Sequence, residues 1–305
     1  MRILRCCLRL GCVLVCAAAS RTDPLLAQTP PAIQNTAGLK LLVDSENTQP
    51  ALRIVLPGHP DTERAIVAIF PEHVTAKKAG ASEAEHLYLF RPGHQGESPA
   101  WQRSGQSLQY EKDLPGGIHF LARTILEDDG VLFHYEFLNR SDTAYDMIYA
   151  VTDPRLTSIF HDVRLERTYV HLKSGFDLLA SDTPGRLIMP LSEWLPARYL
   201  ASFTWPVPTK RVERRPDGIT YYNKSQPVDE PMLATISQDR SWVVASFTNT
   251  TGNVWSNPEL TCQHVDPQTT LAPRQQAVLE VKLLIFKGSL DGALQKVISQ
   301  RSSLK

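Results

Sequence analysis

Apolar runs of strand length, bounded by Pro, Gly and small polar residues, recur along most of the chain; only its end carries a helical period. The runs fall at 52–56, 65–70, 86–90, 146–151, 168–172, 187–189, 199–205, 232–237, 242–247 and 277–286. Such runs between turn residues predict strands. The sharpest local signal is a hairpin: 118–126, then Glu127-Asp128-Asp129-Gly130, then 131–139. Asp-Gly between alternating runs favours a tight turn, because both central positions need positive φ. On the second arm Val131, Phe133, Tyr135 and Phe137 share one face, which should be core, while Leu132, His134, Glu136 and Leu138 share the other, from which His134 and Glu136 should look outward. A second hairpin is predicted at 210–215, Pro216-Asp217-Gly218 and 219–222. The stretch 73–85 has little apolar period and reads as a loop with one helical turn. After Gly288, Ser289 is placed to cap a helix whose Leu290, Leu294, Val297 and Ile298 form one stripe.

Many short strands and one late helix predict an all-β fold, a large two-sheet antiparallel β-sandwich with a short C-terminal helix. No interior linker interrupts the strands, so 28–305 reads as a single domain. With 42% hydrophobic and 21% charged residues the composition is that of a globular protein, not of a disordered chain or a disulfide scaffold.

Residues 1–27 change the address. A basic start, the apolar run 10–19 and then small residues read as a secretory signal, placing the remainder in the periplasm or outside the cell. The run is too short to span a bilayer, and no later run is long enough, so no membrane span is expected. The formal net charge is zero; the leader's four arginines against one aspartate carry three positive charges, so removing it leaves −3. That balance argues against a nucleic-acid partner. Four of the five cysteines also lie in the leader, which leaves Cys262 without a disulfide partner.

Three clusters could carry chemistry. The densest is 255–267, with Trp255, Asn257, Cys262, His264 and Asp266 within thirteen residues. His264 and Asp266 are two apart and face the same way on a strand, so a sugar hydroxyl or a metal could bridge them. Two ligands do not complete a metal centre, and neither a metal nor a cofactor is expected. A second cluster holds His161 and Asp162, then His171, on a charged stretch. The third runs from Glu193 and Trp194 through Arg198 to Trp205, where an indole beside a carboxylate, a guanidinium and a phenol suits a carbohydrate ligand. Each has a structural alternative: an exposed charged strand, core tryptophans, a hydrogen-bonded histidine. No Gly-x-Ser-x-Gly elbow, His-Glu-x-x-His pair, phosphate-binding glycine loop or Cys-x-x-Cys is present.

From about Gly130 onward the order of features resembles the galactose-mutarotase-like, or supersandwich, proteins. The matching pieces are Asn139-Arg140-Ser141-Asp142, the run 242–247 after Ser237-Gln238-Asp239, Asn257 with Cys262-Gln263-His264-Val265-Asp266-Pro267, Leu271-Ala272-Pro273, and Gly288-Ser289-Leu290-Asp291. The usual Pro-Gly turn is here Pro273-Arg274. The resemblance implies a carbohydrate-active β-sandwich. Two functions follow as expectations. One is an exported carbohydrate-binding protein using Trp194, Arg198, His171, Trp205, Trp255, Asn257 and Asp266. The other is a hydrolase, lyase or epimerase using Glu193 or Asp162 as acid or base, with His161, His171 or His264 as partner. A structural or protein-binding envelope role is a third.

Overall fold

The structure, a computed structural model, describes residues 31–46, 49–90, 98–190, 192 and 195–305. One nine-stranded antiparallel sheet forms a wall. Its order is Gly175–Leu178, Thr168–Leu172, Met232–Ile236, Trp242–Phe247, Gln276–Lys287, Gly130–Asn139, Ile118–Glu127, Ser107–Leu114 and Gln102–Ser104. At its centre lies the longest strand, Gln276–Lys287, hydrogen-bonded on both sides. The predicted hairpin is present, with Val131 opposite Leu126 and Phe133 opposite Thr124, but Gly130 pairs with Glu127, so its two-residue turn is Asp128-Asp129 rather than Asp-Gly, and neither aspartate has positive φ. Gly130 must be glycine for reasons of space, since a Cβ there would meet the Leu283 carbonyl oxygen at 2.0 Å.

Three smaller sheets face this wall. The first is five-stranded: Ala32–Gln34, Lys40–Glu46, Gln49–Val55, Ile66–Ile69 and Asp153–Leu156. The second holds Thr269–Leu271, Tyr145–Ala150, Val74–Lys78 and Glu85–Leu87. The third holds Val212–Arg214, Thr220–Asn223, Ala197–Ser202 and Asn253–Ser256. The main core lies between the wall and the first two, where Phe120, Phe133, Tyr135 and Phe137 meet Leu41, Leu52, Ile66, Phe70 and Ile148. The face of the hairpin read as core is core. A separate cluster, with Val170, Leu233, Tyr199, Ala201 and Val254, joins the wall to the third small sheet. On the wall's other face the helix Leu290–Gln300 packs Ala293, Leu294 and Val297 against Met232, Val243 and Phe247. Ser289 caps it, its Oγ accepting from the Gly292 amide at 3.2 Å.

The structure departs from the sequence pattern in places. The stretch 73–85, read as a loop, contains the strand Val74–Lys78, because Val74, Thr75 and Ala76 are buried by pairing with Tyr145–Ala150. Residues 187–189 are not a strand; a 3-10 turn, Pro184–Leu187, reaches into them. One pair is parallel, Ala197–Ser202 with Thr220–Asn223. No helix among the described residues is long and apolar enough to cross a membrane.

Candidate functional site

Where the second and third small sheets approach one another they enclose a pocket of about 330 Å³. The second sheet and its flanking turns supply His73, His86, Tyr149 and Gln268; the third supplies Arg215, Tyr221, Asn253 and Trp255. Asp266 lies at the junction, between the residue bridged to Trp255 and the start of Thr269–Leu271. Trp205 stands at the margin, 47% exposed. Its ring rests on Gly252, where a Cβ would come within 2.2 Å of the indole Cε2, so only a bare backbone lets the ring lie there. The Arg215 guanidinium covers the Tyr221 ring at 3.8 Å, holding both side chains in place. His73 and His86 meet edge to face at 4.7 Å, and Thr75 Oγ1 is 3.0 Å from His86 Nδ1.

Behind the aromatic wall sits His264. The amides and carbonyls of Trp255 and His264 bond reciprocally at 3.0 and 3.1 Å, as in an isolated antiparallel pair. Directly opposite residues in such a pair project to the same side. Their rings accordingly stack at 3.8 Å, within 2° of parallel, and the Arg198 guanidinium lies 5.7 Å from the Trp255 ring. His264 is 2% exposed and is flanked by two carboxyls: Asp153 Oδ1 lies 3.4 Å from Nε2, and Asp266 Oδ2 lies 3.5 Å from Nδ1. Arg155 Nε donates to Asp153 Oδ2 at 2.7 Å.

Burial and charge pull these groups apart. Burial alone would lower the His264 pKa, but Cys262, Asp153 and Asp266 together hold it well above the usual histidine value. Burial would raise Asp153, yet His264 and Arg155 outweigh it and hold that carboxyl below its ordinary range. Asp266 goes the other way: burial raises it, and the His264 contact offsets this only in part. Glu72, close enough to feel Asp153, His264 and Asp266, is also raised, chiefly by burial. One imidazole therefore sits between a carboxyl held ionised and one shifted toward the neutral form.

Of the residues singled out from sequence, Trp205, Trp255 and Asp266 line the pocket, with His264 and Arg198 packed against Trp255. Others are spent elsewhere. Asp162 accepts from the Glu166 and Arg167 amides and from Thr168 Oγ1, at 3.0, 2.8 and 2.8 Å. His161 ends a 3-10 turn, its carbonyl accepting from Arg167. His171 pairs with Asp229 at 2.7 Å on the wall sheet. Asn257 closes a turn by accepting from the Leu260 and Thr261 amides. Thr261, at φ 47°, is a β-branched residue held in the left-handed region immediately before Cys262. Its hydroxyl accepts from the Asp162 amide at 3.1 Å, so the Asp162 turn also braces the segment that carries His264. Glu193 and Trp194 lie outside the described residues.

Pattern reasoning missed His73, His86, Tyr149, Arg215, Tyr221, Gln268 and Asp153. The one usable signal was the second hairpin, which carries Arg215 and Tyr221 beside its turn. The others belong to no motif; Asp153 has its partner Arg155 two residues on, but that spacing alone marks no site.

No family model and no curated protein matches the chain. Among solved structures it is loosely similar to a galactose mutarotase related enzyme from Lactobacillus acidophilus, at 9% identity and a TM-score of 0.48, over 86% of this chain and 98% of that one. A galactose mutarotase-like protein from Lactobacillus casei is similar at 11% identity and a TM-score of 0.46, over 84% of this chain and 100% of that one. An alpha-N-acetylgalactosaminidase from Bifidobacterium bifidum is similar at 10% identity and a TM-score of 0.48, over 87% of this chain and 37% of that one. The architecture itself is strand-rich, built of several mainly antiparallel sheets with one short C-terminal helix among the described residues.

Proposed function

We propose that this chain is an exported protein that binds a carbohydrate in the pocket between its second and third small sheets. The pocket's composition carries this reading. Trp205, Trp255, Tyr149 and Tyr221 offer flat apolar faces to a sugar ring, while Asp266, Asn253, Gln268, Arg215 and the two histidines offer donors and acceptors to hydroxyls. Its volume of about 330 Å³ falls at the lower end of small-molecule sites, so one or two sugar units, such as a chain end, fit its scale. Export rests on the leader at 1–27 alone.

A second reading makes the site catalytic. The Asp266 carboxyl and the imidazoles of His73 and His86 line one pocket, the pairing of groups that proton transfer at a bound sugar requires, as in an epimerase or lyase.

The test is a glycan array on residues 28–305, followed by calorimetry and product analysis on each hit. The binding reading expects saturable binding that Trp205→Ala weakens by about 2 kcal/mol, roughly thirtyfold, with stability little changed because the ring is half exposed. Isomerised or cleaved product, lost in Asp266→Asn, favours catalysis. Silence across neutral and acidic glycans refutes both.

A further inference from the structure

Three buried donors converge behind the pocket. Asp153, Cys262 and His264 are 2%, 0% and 2% exposed, and one donor atom of each lies within 4.8 Å of the others. Asp153 Oδ1 has no hydrogen-bond partner among the described residues, although His264 Nε2 is 3.4 Å away. A charge-assisted hydrogen bond between such groups would close to about 2.7–2.9 Å. Two donors held tetrahedrally by one ion at about 2.0–2.1 Å sit about 3.4 Å apart. The spacing is thus that of two ligands of a common ion.

We propose that Asp153, Cys262 and His264 bind a divalent ion of the zinc type. A thiolate, an imidazole and one carboxylate oxygen make a donor set that suits zinc and fits poorly with magnesium or calcium, which take oxygen ligands. Supporting contacts are already in place. Asp266 Oδ2 is 3.5 Å from His264 Nδ1, the ring nitrogen that faces away from the ion and has no hydrogen-bond partner among the described residues; a small closure of this gap would complete a carboxylate–histidine–zinc arrangement. Arg155 Nε holds the second oxygen of Asp153, leaving Oδ1 turned inward. The Trp255 indole stacked on His264 fixes the imidazole plane. Two anionic ligands neutralise the ion's charge within the buried site. On binding, the Cys262 thiol and the protonated His264 imidazole each release a proton to solvent, so that a thiolate and a neutral imidazole meet the ion. Three protein ligands leave a fourth position for water. Metal uptake is measured without sugar, so this inference stands or falls apart from the carbohydrate reading.

The test uses the purified chain, stripped with a chelator and titrated with Zn²⁺ against a chromophoric competitor. One ion per chain is expected. Co²⁺ in place of zinc should give a thiolate-to-cobalt charge-transfer absorption that Cys262→Ser abolishes. Asp266→Asn should keep that absorption while lowering affinity about 10–100-fold. Circular dichroism in chelator establishes that each variant folds; should Cys262→Ser fail to fold, the wild-type cobalt spectrum alone decides. Substoichiometric uptake by the wild type overturns the proposal. So does bound cobalt without a thiolate band, or zinc affinity unchanged in both Cys262→Ser and Asp153→Asn.

Discussion

Replacing Asp162 by alanine separates a structural carboxylate from a chemical one. In the structure Asp162 is 4% exposed, and its oxygens accept from two backbone amides and a threonine hydroxyl. Thr168 has a second partner in Thr235 Oγ1 at 3.1 Å, so its hydroxyl survives the change. The Glu166 and Arg167 amides lose the acceptor that closes their turn. A hydrogen bond to a charged group contributes about 1.5–3 kcal/mol, and both amides are only partly buried, so water recovers some of that. The expected cost of Asp162→Ala is therefore about 2–4 kcal/mol, or about 5–15 °C in Tm. Chemical denaturation gives the free energy and a thermal scan the shift. Sugar affinity, measured well below the new Tm, should fall less than threefold, because the carboxylate is not part of the pocket. A loss of stability under 1 kcal/mol together with abolished sugar binding would refute this account and return Asp162 to the ligand site.

Three further outcomes follow from particular contacts. Gly252→Ala places a methyl group where the Trp205 indole lies, so it should displace that ring and weaken sugar binding about as much as Trp205→Ala, with both variants folded by circular dichroism; unchanged affinity would mean Trp205 takes no part. Phe133→Ala empties part of the aromatic core around Phe70 and should cost about 3–5 kcal/mol in denaturant unfolding, and a value near 1 would contradict the packing described. His134 is held above its ordinary pKa by hydrogen bonds to Glu280 at 2.7 Å and Glu136 at 2.9 Å, while the Lys305 amide also donates to Glu280. A raised folded pKa means stability fully present below the unfolded value of about 6.5 and lost as pH rises through the folded value. Glu280, whose pKa is lowered, sets the acid edge, its share fading as pH falls below about 4.3. The advantage of the wild type over His134→Gln should accordingly be largest near about pH 6 and shrink by about pH 9 in urea melts, and a gap independent of pH would rule out the ion pair.

Legibility from sequence followed the distance over which each feature is decided. The hairpin Ile118–Glu127 to Gly130–Asn139 and the cap at Ser289 were readable because turn, alternation and cap are encoded within a few residues. The strand Val74–Lys78 was not readable, because its polar Lys77 and Lys78 mask a buried start that only the partner strand Tyr145–Ala150 creates. The helical-looking composition of 73–85 was overridden by that pairing, as tertiary context commonly overrides propensity.

The site divides the same way. Trp255, His264 and Asp266 stood out because they are crowded into one segment, and alternation along that segment put His264 and Asp266 on one side. Asp153, 111 residues before His264, carried no sign of its role, and neither did His73 or His86. By itself the sequence determined the strand-rich class, the hairpins, the capped helix and a short list of reactive residues, since these depend on local periodicity and turn chemistry. Only the tertiary structure decided which carboxyls flank His264, which aromatic faces enclose the pocket, and which of the reactive residues are spent on bracing turns. Those choices depend on strand order across sheets, a long-range pairing that no local pattern carries.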